Sequence, residues 1–170
     1  MLCAGAMAAA VLGMAACGTK SEPVSQATGN GLGESAPLEM RAANAGVALL
    51  DAESEVTHTH TELIVIVDGE AVEVPANIGV DEAAGKIAAL HTHRTDGILH
   101  VESPVQEDRY TLDQFYQLYG VGSTKTDICK KYSETGLCSM KIVSEMDGET
   151  DMNQILQDGD RITLTVTTIA

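Results

Sequence analysis

The clearest hydrophobic pattern lies over residues 62–74, in the run ELIVIVDGEAVEV. Two β-branched segments flank Asp68-Gly69, and this dipeptide favours the type I′ turn of a two-residue β-hairpin. A hairpin closed at that turn places Val65 opposite Val72 on one face of the sheet. The pattern therefore predicts a β-hairpin in this stretch.

Similar patterns predict the other elements. The run MKIVSEMDGE over 140–149 repeats the look of the first hairpin, and RITLTV over 161–166 predicts a closing strand. Residues 75–90 contain two glycines and predict a connection with a helical turn over 81–89. A short helix is expected within 37–50.

The main helix is predicted just after Thr111, which forms a capping-box pattern with Gln114, and it ends at Gly120. Apolar side chains recur at helical spacing between these two points, namely Leu112, Phe115, Tyr116 and Tyr119. We interpret this stripe as core packing. Because strands outnumber helices and the hairpins imply antiparallel pairing, the sequence predicts a β-rich α+β fold with antiparallel hairpins and one main helix.

The N-terminal region has the composition of a targeting segment. Residues 1–16, MLCAGAMAAAVLGMAA, carry no charge and end in small residues directly before Cys17. This stretch is too short to span a bilayer and is typical of a signal peptide. The sequence MAAC resembles a bacterial lipoprotein processing box, which implies that Cys17 becomes the lipidated first residue. Residues 17–54 then predict a flexible tether, and residues 55–170 a single β-rich domain.

Two cysteines remain in the predicted domain, Cys129 and Cys138. Outside the cytoplasm they are expected to form a disulfide, which would contribute about 2–3 kcal/mol of stability. Use of both as metal thiolates is the alternative, although the short C-x₂-C spacing of a zinc knuckle is absent.

Charge narrows the classes of partner. The chain carries 10 Lys and Arg against 25 Asp and Glu, which gives a net charge of −15. This balance argues against nucleic acid, and against electrostatic docking on anionic lipids. From Glu55 onward there are 8 basic and 20 acidic residues, so the acidity belongs to the domain and would draw cations towards it.

All five histidines fall within 43 residues of one another, as His58-Thr-His60, His91-Thr-His93 and His100. A His-x-His pair in a strand points both rings to the same face, because side chains alternate with period two. This spacing indicates metal binding. A pH-sensitive histidine cluster is the alternative, and an incidental grouping without a special role is the third possibility.

The second cluster contains another turn dipeptide, Asp96-Gly97. If this is a two-residue loop, His93 opposes His100 and His91 opposes Glu102, with all four side chains on one face. Three imidazoles and a carboxylate suit first-row metals, among which copper and zinc are the expected cofactors.

The first pair can extend that site. His58 and His60 are expected to complete it as ligands from the neighbouring hairpin. The alternatives are that they hydrogen-bond the metal ligands, or that they form a mobile segment at the edge of the fold that first binds the metal. Glu62 continues their face of the strand. If the protein is an enzyme, Glu102 or Glu62 is the candidate general base.

The stretch LHTHRTDGILHVESP, followed by YTLDQFYQLYGV and the two cysteines, resembles a family of uncharacterised secreted bacterial proteins and lipoproteins. Members carry an upstream His-x-His and an LHTH…GIxHxESP motif, and the similarity covers roughly residues 56–168. The family pattern places Asp where this chain has Arg94. The resemblance implies the architecture and the histidine site, but no particular reaction.

These observations lead to three functional hypotheses. The first is a membrane-anchored extracytoplasmic lipoprotein that binds copper or zinc, held to the bacterial membrane by its lipid and able to contact an envelope protein. The second is a metal-dependent hydrolase, lyase or oxygenase at the same site. The third is a structural envelope lipoprotein whose histidines only form hydrogen bonds.

Overall fold

A computed structural model describes residues 31–169 of the chain. The predicted signal peptide over 1–16, the lipidation residue Cys17 and the tether up to residue 30 lie outside the described residues.

The described chain contains three helices and ten strands. In chain order they are α1 (Leu38–Ala45), β1 (Leu49–Leu50), β2 (Thr57–Val67), β3 (Glu70–Val72), β4 (Val80–Asp81), β5 (Lys86–Ala88), β6 (Leu90–His91), β7 (Ile98–Ser103), α2 (Leu112–Tyr119), α3 (Lys125–Tyr132), β8 (Cys138–Ser144), β9 (Gly148–Thr150) and β10 (Arg161–Thr168). None of the helices within 31–169 is long and apolar enough to span a membrane.

Seven strands form the main sheet, in the order β6-β7-β2-β10-β8-β9, with β3 paired to the second half of β2. The β2–β10 pair is parallel, whereas the other pairs are antiparallel. A smaller antiparallel sheet contains β1, β5 and β4. The predicted β-rich α+β class is confirmed, with one parallel pair at the centre of the main sheet.

The first hairpin forms as the pattern predicts. Val65 lies opposite Val72, and both turn residues have positive φ, 51° at Asp68 and 90° at Gly69. A type I′ turn requires a positive φ at both positions. The later run also forms a hairpin, between β8 and β9, and β10 pairs with β8 as the closing strand.

The hydrophobic core covers one face of the main sheet. Alternate residues of two neighbouring strands are buried there, Leu63 and Val65 on β2 and Leu99 and Val101 on β7, together with Phe115 of α2. Because side chains alternate along a strand, the intervening positions face the opposite side.

The main helix, α2, begins and ends where the sequence predicts. Thr111 Oγ1 accepts a hydrogen bond from the backbone N–H of Gln114 at 3.3 Å, and Gln114 Oε1 accepts one from the N–H of Thr111 at 3.0 Å. Gly120 ends the helix with φ at 93°. Two more eight-residue helices accompany it, so the expectation of one main helix understates the helical part. The second of these, α3, begins with its own capping box, Thr124 and Asp127.

Helix α1 corrects the predicted domain boundary at residue 55. Leu38 is buried in the core, and Arg41 Nη1 donates a hydrogen bond to the carbonyl oxygen of Leu118 at 2.6 Å, at the end of α2. Residues 38–50, which the sequence analysis places in the tether, therefore belong to the folded domain. The short helix expected within 37–50 is confirmed, but its apolar face is too narrow for the sequence to reveal its burial.

The connection before the second histidine cluster is extended, so the helical turn predicted over 81–89 is wrong. Asp81 pairs with Lys86 in a hairpin of β4 and β5, and Asp81 Oδ1 accepts a hydrogen bond from the N–H of Ala84 at 2.9 Å. β5 is held on its other edge by β1. This pairing is long-range and lies outside any local pattern.

A disulfide joins Cys129 of α3 to Cys138 at the start of β8, as the sequence predicts. The alternative of two metal thiolates is thereby excluded for this pair.

We expect Leu38→Ala to reduce the free energy of unfolding by about 2–5 kcal/mol, because it removes a buried side chain from the core. Met40→Ala on the same helix is the matched control, since Met40 is 56% exposed and should change stability little. Urea unfolding of the purified chain measures both. Equal stability of the two variants would mean that α1 does not contribute to the core.

Candidate metal site

Strand β7 lies between β6 and β2, and this order brings both His-x-His pairs to one surface. His100 of β7 lies opposite His91 on one side and opposite His60 on the other. Glu102 lies opposite His58. Directly opposed residues share a face of the sheet, and here it is the face away from the helices.

The loop between β6 and β7 differs from the predicted two-residue turn. His91 pairs with His100, rather than His93 with His100 and His91 with Glu102. Gly97 has φ at 78°, but Asp96 has no positive φ, so a type I′ turn does not form there. The carbonyl oxygen of Gly97 instead accepts a hydrogen bond from the N–H of Leu63 at 2.8 Å, which attaches the loop to β2.

The observed register differs from the predicted one by two residues, so the side chains stay on the predicted face of the sheet. A difference of one residue would have placed the ligands on opposite faces. His93 leaves the strand but still contacts the cluster, with its ring 4.5 Å from that of His100 and 4.6 Å from that of His91.

The ligand atoms are spaced as metal coordination requires. His58 Nε2 lies 3.1 Å from His60 Nε2, and His91 Nε2 lies 3.1 Å from His93 Nε2. Glu102 Oε1 lies 3.3 Å from His58 Nε2 and 3.4 Å from Nδ1 of His100. Neighbouring ligand atoms around a tetrahedral zinc ion are about 3.3–3.4 Å apart, for bonds of about 2.0–2.1 Å. Small side-chain movements would therefore complete such a site.

Six side chains form two overlapping groups that could hold a metal ion. One group contains His58, His60, His100 and Glu102; the other contains His91, His93, His100 and Glu102. All six residues named from the sequence as candidate ligands thus come together.

Hydrogen bonds orient two of the rings. Nδ1 of His91 lies 2.9 Å from the carbonyl oxygen of Ala88, and Nδ1 of His58 lies 3.0 Å from Glu55 Oε2. Both acceptors favour a proton on Nδ1, which leaves Nε2 with its lone pair facing the cluster. Metal-ligating histidines are commonly held by this kind of outer hydrogen bond.

His100 is the exception, because its Nδ1 is buried and makes no hydrogen bond, although Glu102 Oε1 lies 3.4 Å away. Among the described residues it is the one buried side-chain nitrogen or oxygen in that condition. Leaving a buried polar atom unsatisfied costs about 1–3 kcal/mol, so such atoms in native proteins need an explanation. A metal ion bound to this nitrogen would supply the missing partner.

Burial keeps His91 and His100 neutral at neutral pH. Desolvation, with a smaller contribution from the neighbouring His93, lowers the pKa of each of these two histidines to about 4. The pKa of Glu102 is raised, mainly by desolvation and next by the negative charge of Glu53. His58 has a raised pKa because of its hydrogen bond to Glu55. At neutral pH, His91 and His100 can therefore bind a metal without first losing a proton.

Two carboxylates beside the site were missed by the sequence analysis. Glu55 contacts His58, and Glu53 Oε1 lies 3.4 Å from His93 Nε2. Glu53 lies in the segment assigned to the tether, and Glu55 is the first residue of the predicted domain. The alternation of Asp51, Glu53 and Glu55, directly before the first His-x-His pair, was the available signal.

Two other residues stay outside both groups. Glu62, the second candidate general base, lies on the expected strand, but its Oε2 accepts a hydrogen bond from Arg161 Nε at 2.7 Å. Arg94 is exposed and pairs with Asp96 at 3.0 Å. Neither side chain contributes a ligand atom.

Comparisons of this chain with protein-family models, with curated proteins and with solved structures give no match.

We expect the metal-free protein to lose stability as the pH falls from about 6.5 towards 4. The pKa of His91 is about 4 when folded, against an ordinary value of 6.5, so the unfolded chain binds more protons in this window. His91→Asn can keep the hydrogen bond to Ala88 and removes the titration. The fall should then be shallower, by at most about 1.4 kcal/mol per pH unit.

Urea unfolding in the presence of a chelator, repeated across pH 4–8, provides the measurement. His58→Asn is the control, because the pKa of His58 is raised in the folded protein and not lowered. Protonated His58 therefore stabilises the folded state below pH 6.5, and this stabilisation is lost as the pH rises through its folded-state pKa. This variant should keep the loss of stability on the acid side. Identical pH profiles for His91→Asn and the wild type would contradict the assignment.

Proposed function

We propose that this protein is a membrane-anchored extracytoplasmic lipoprotein that binds copper or zinc through its histidine cluster. The observation that carries the proposal is the buried, unsatisfied Nδ1 of His100 at the centre of two His-x-His pairs. A buried nitrogen without a hydrogen bond lowers stability, and a cation bound to it would offset that cost.

The ligand types favour copper and zinc. The cluster offers five imidazoles and one buried carboxylate, whereas magnesium and calcium prefer sites made of oxygen ligands. Cu²⁺ and Zn²⁺ bind imidazole strongly, and Cu²⁺ stands highest in the order of affinity among divalent first-row metals. The surrounding acidity adds long-range attraction for either cation.

The location outside the cytoplasm rests on two features of different kinds. The disulfide between Cys129 and Cys138 is typical of an oxidising compartment. The apolar residues 1–16, followed by Cys17, match the pattern of a lipoprotein signal peptide. A tether ending before α1 would hold the domain away from the membrane, and the resemblance to secreted bacterial lipoproteins supports the same location.

Binding is favoured over catalysis by the contacts of the two candidate bases. Glu102 belongs to both ligand groups, and Glu62 accepts a hydrogen bond from Arg161. An enzyme would need a substrate pocket beside the metal and a carboxylate that is free to accept a proton.

A purely structural role is disfavoured by the partners of the rings. A structural cluster would have its imidazoles bonded to backbone carbonyls. Of the five histidines, all within the described range, His91 is the one whose ring bonds a backbone carbonyl oxygen.

We expect the purified full chain to bind Cu²⁺ or Zn²⁺, and Glu102→Gln to weaken that affinity. The loss of affinity should exceed the roughly 10–100-fold loss that follows removal of a residue that only hydrogen-bonds a metal ligand, because Glu102 belongs to both ligand groups. Glu70→Gln is the matched control, since Glu70 is exposed on β3. Competition with a chromogenic chelator gives the affinities. Absence of binding by the wild type, or equal affinities of the two variants, would reject the proposal.

Lipidation can be tested with a cysteine control that the chain itself provides. In a bacterial host supplied with labelled palmitate, the wild type and Cys3→Ser should incorporate label, whereas Cys17→Ser should not. Cys3 lies inside the segment that processing would remove. Persistent label in Cys17→Ser, or none in the wild type, would show that Cys17 is not the acceptor.

A further inference from the structure

The ligand atoms of the cluster divide into two sets rather than one. Within each set the four atoms lie within 4.8 Å of one another, and the two sets have His100 and Glu102 in common. His58 and His60 belong only to the first set, and His91 only to the second together with His93.

The six ligand atoms form two sets of four rather than one set of six. The unshared ligands lie on either side of β7: His58 and His60 on β2, and His91 on β6, with His93 in the loop that follows β6. Each set by itself, however, supplies the four ligands that tetrahedral coordination needs.

The shared residues are chemically suited to contact two ions. A carboxylate has two oxygens and an imidazole has two ring nitrogens, so Glu102 and His100 can each bind one ion on either side. Both come from the central strand, whereas the unshared ligands come from β2 and from the β6 region. When His100 binds through both nitrogens, its ring proton is released to solvent.

A further carboxylate contacts each half of the cluster. Glu55 Oε2 lies 3.0 Å from Nδ1 of His58 in one half, and Glu53 Oε1 lies 3.4 Å from Nε2 of His93 in the other. With Glu102 there are three carboxylates at the cluster, and their negative charge offsets much of the repulsion between two divalent cations.

We propose that the cluster is a dinuclear centre, which holds two divalent first-row ions side by side and shares His100 and Glu102 between them. This inference rests on the proposed metal-binding function and specifies its stoichiometry. His91 is fully buried, whereas the side chains of His58 in one set and His93 in the other are 32% and 37% exposed.

The stoichiometry gives the first test. The full chain is stripped with a chelator, loaded with CuCl₂ or ZnCl₂ alone, desalted, and assayed for metal per chain. Cys3 and Cys17 are replaced by Ser in all samples, so that free thiols do not contribute. We expect two ions per wild-type chain, and one per chain for the double variant His58→Ala/His60→Ala.

The ligand set that contains His91 and His93 is tested by the double variant His91→Ala/His93→Ala, which should also bind one ion per chain. Because His91 is buried, this variant is checked by urea unfolding, and His93→Ala alone serves if the double variant does not fold. His93→Ala should weaken one of the two binding events at least tenfold and leave the other within about threefold. Equal weakening of both, or of neither, would overturn the division into halves.

Electron paramagnetic resonance of the copper form tests whether the two ions share His100 and Glu102 as ligands. The first equivalent of Cu²⁺ should give a full signal, and the second should reduce the signal per copper through magnetic coupling. Full signal at two equivalents would mean two separate sites and would overturn the shared centre. One ion per wild-type chain would overturn the dinuclear proposal but leave metal binding intact, whereas no ion at all would reject the proposed function itself.

Discussion

The pairing of β7 with β2 on one edge and with β6 on the other is the interaction on which the site depends. It places three short pieces of chain side by side, so that residues distant in sequence become direct neighbours, as His60, His100 and His91 do. The alternation of side chains then sends the apolar positions to the core and the ligands to the other face. One set of backbone hydrogen bonds therefore builds the core and the cluster together.

This arrangement requires polar groups to lie where water is scarce. His91 and Glu102 are almost completely buried, and one nitrogen of His100 has no hydrogen-bond partner among the described residues. Desolvation disfavours the charged forms of all three groups. The histidines therefore destabilise the folded state at acidic pH, where they would be protonated, and Glu102 does so at higher pH, where it is ionised. The hydrophobic core and the disulfide provide stability that offsets these costs, so the cluster can persist without being optimal for folding.

The surroundings of the site are consistent with a cation as its ligand. Two acidic residues of the segment before β2 contact the rings, Glu55 at His58 and Glu53 at His93. Glu55 orients its ring by a hydrogen bond, and both residues add negative charge beside the cluster. The segment that precedes β2 is thus part of the site, and helix α1 and strand β1 anchor it to the domain.

Features that depend on neighbouring residues could be predicted from the sequence. The Asp68-Gly69 hairpin, the capped helix after Thr111 and the shared face within each His-x-His pair follow from local backbone geometry. The Cys129–Cys138 disulfide was predicted because these are the two cysteines that remain in the domain. Distant contacts set the rest: the parallel β2–β10 pair, the burial of α1, and the two-residue shift that follows when Gly97 bonds to Leu63. They also put the two histidine pairs on either side of one strand, because strand order depends on the packing of the whole sheet and no local pattern encodes it.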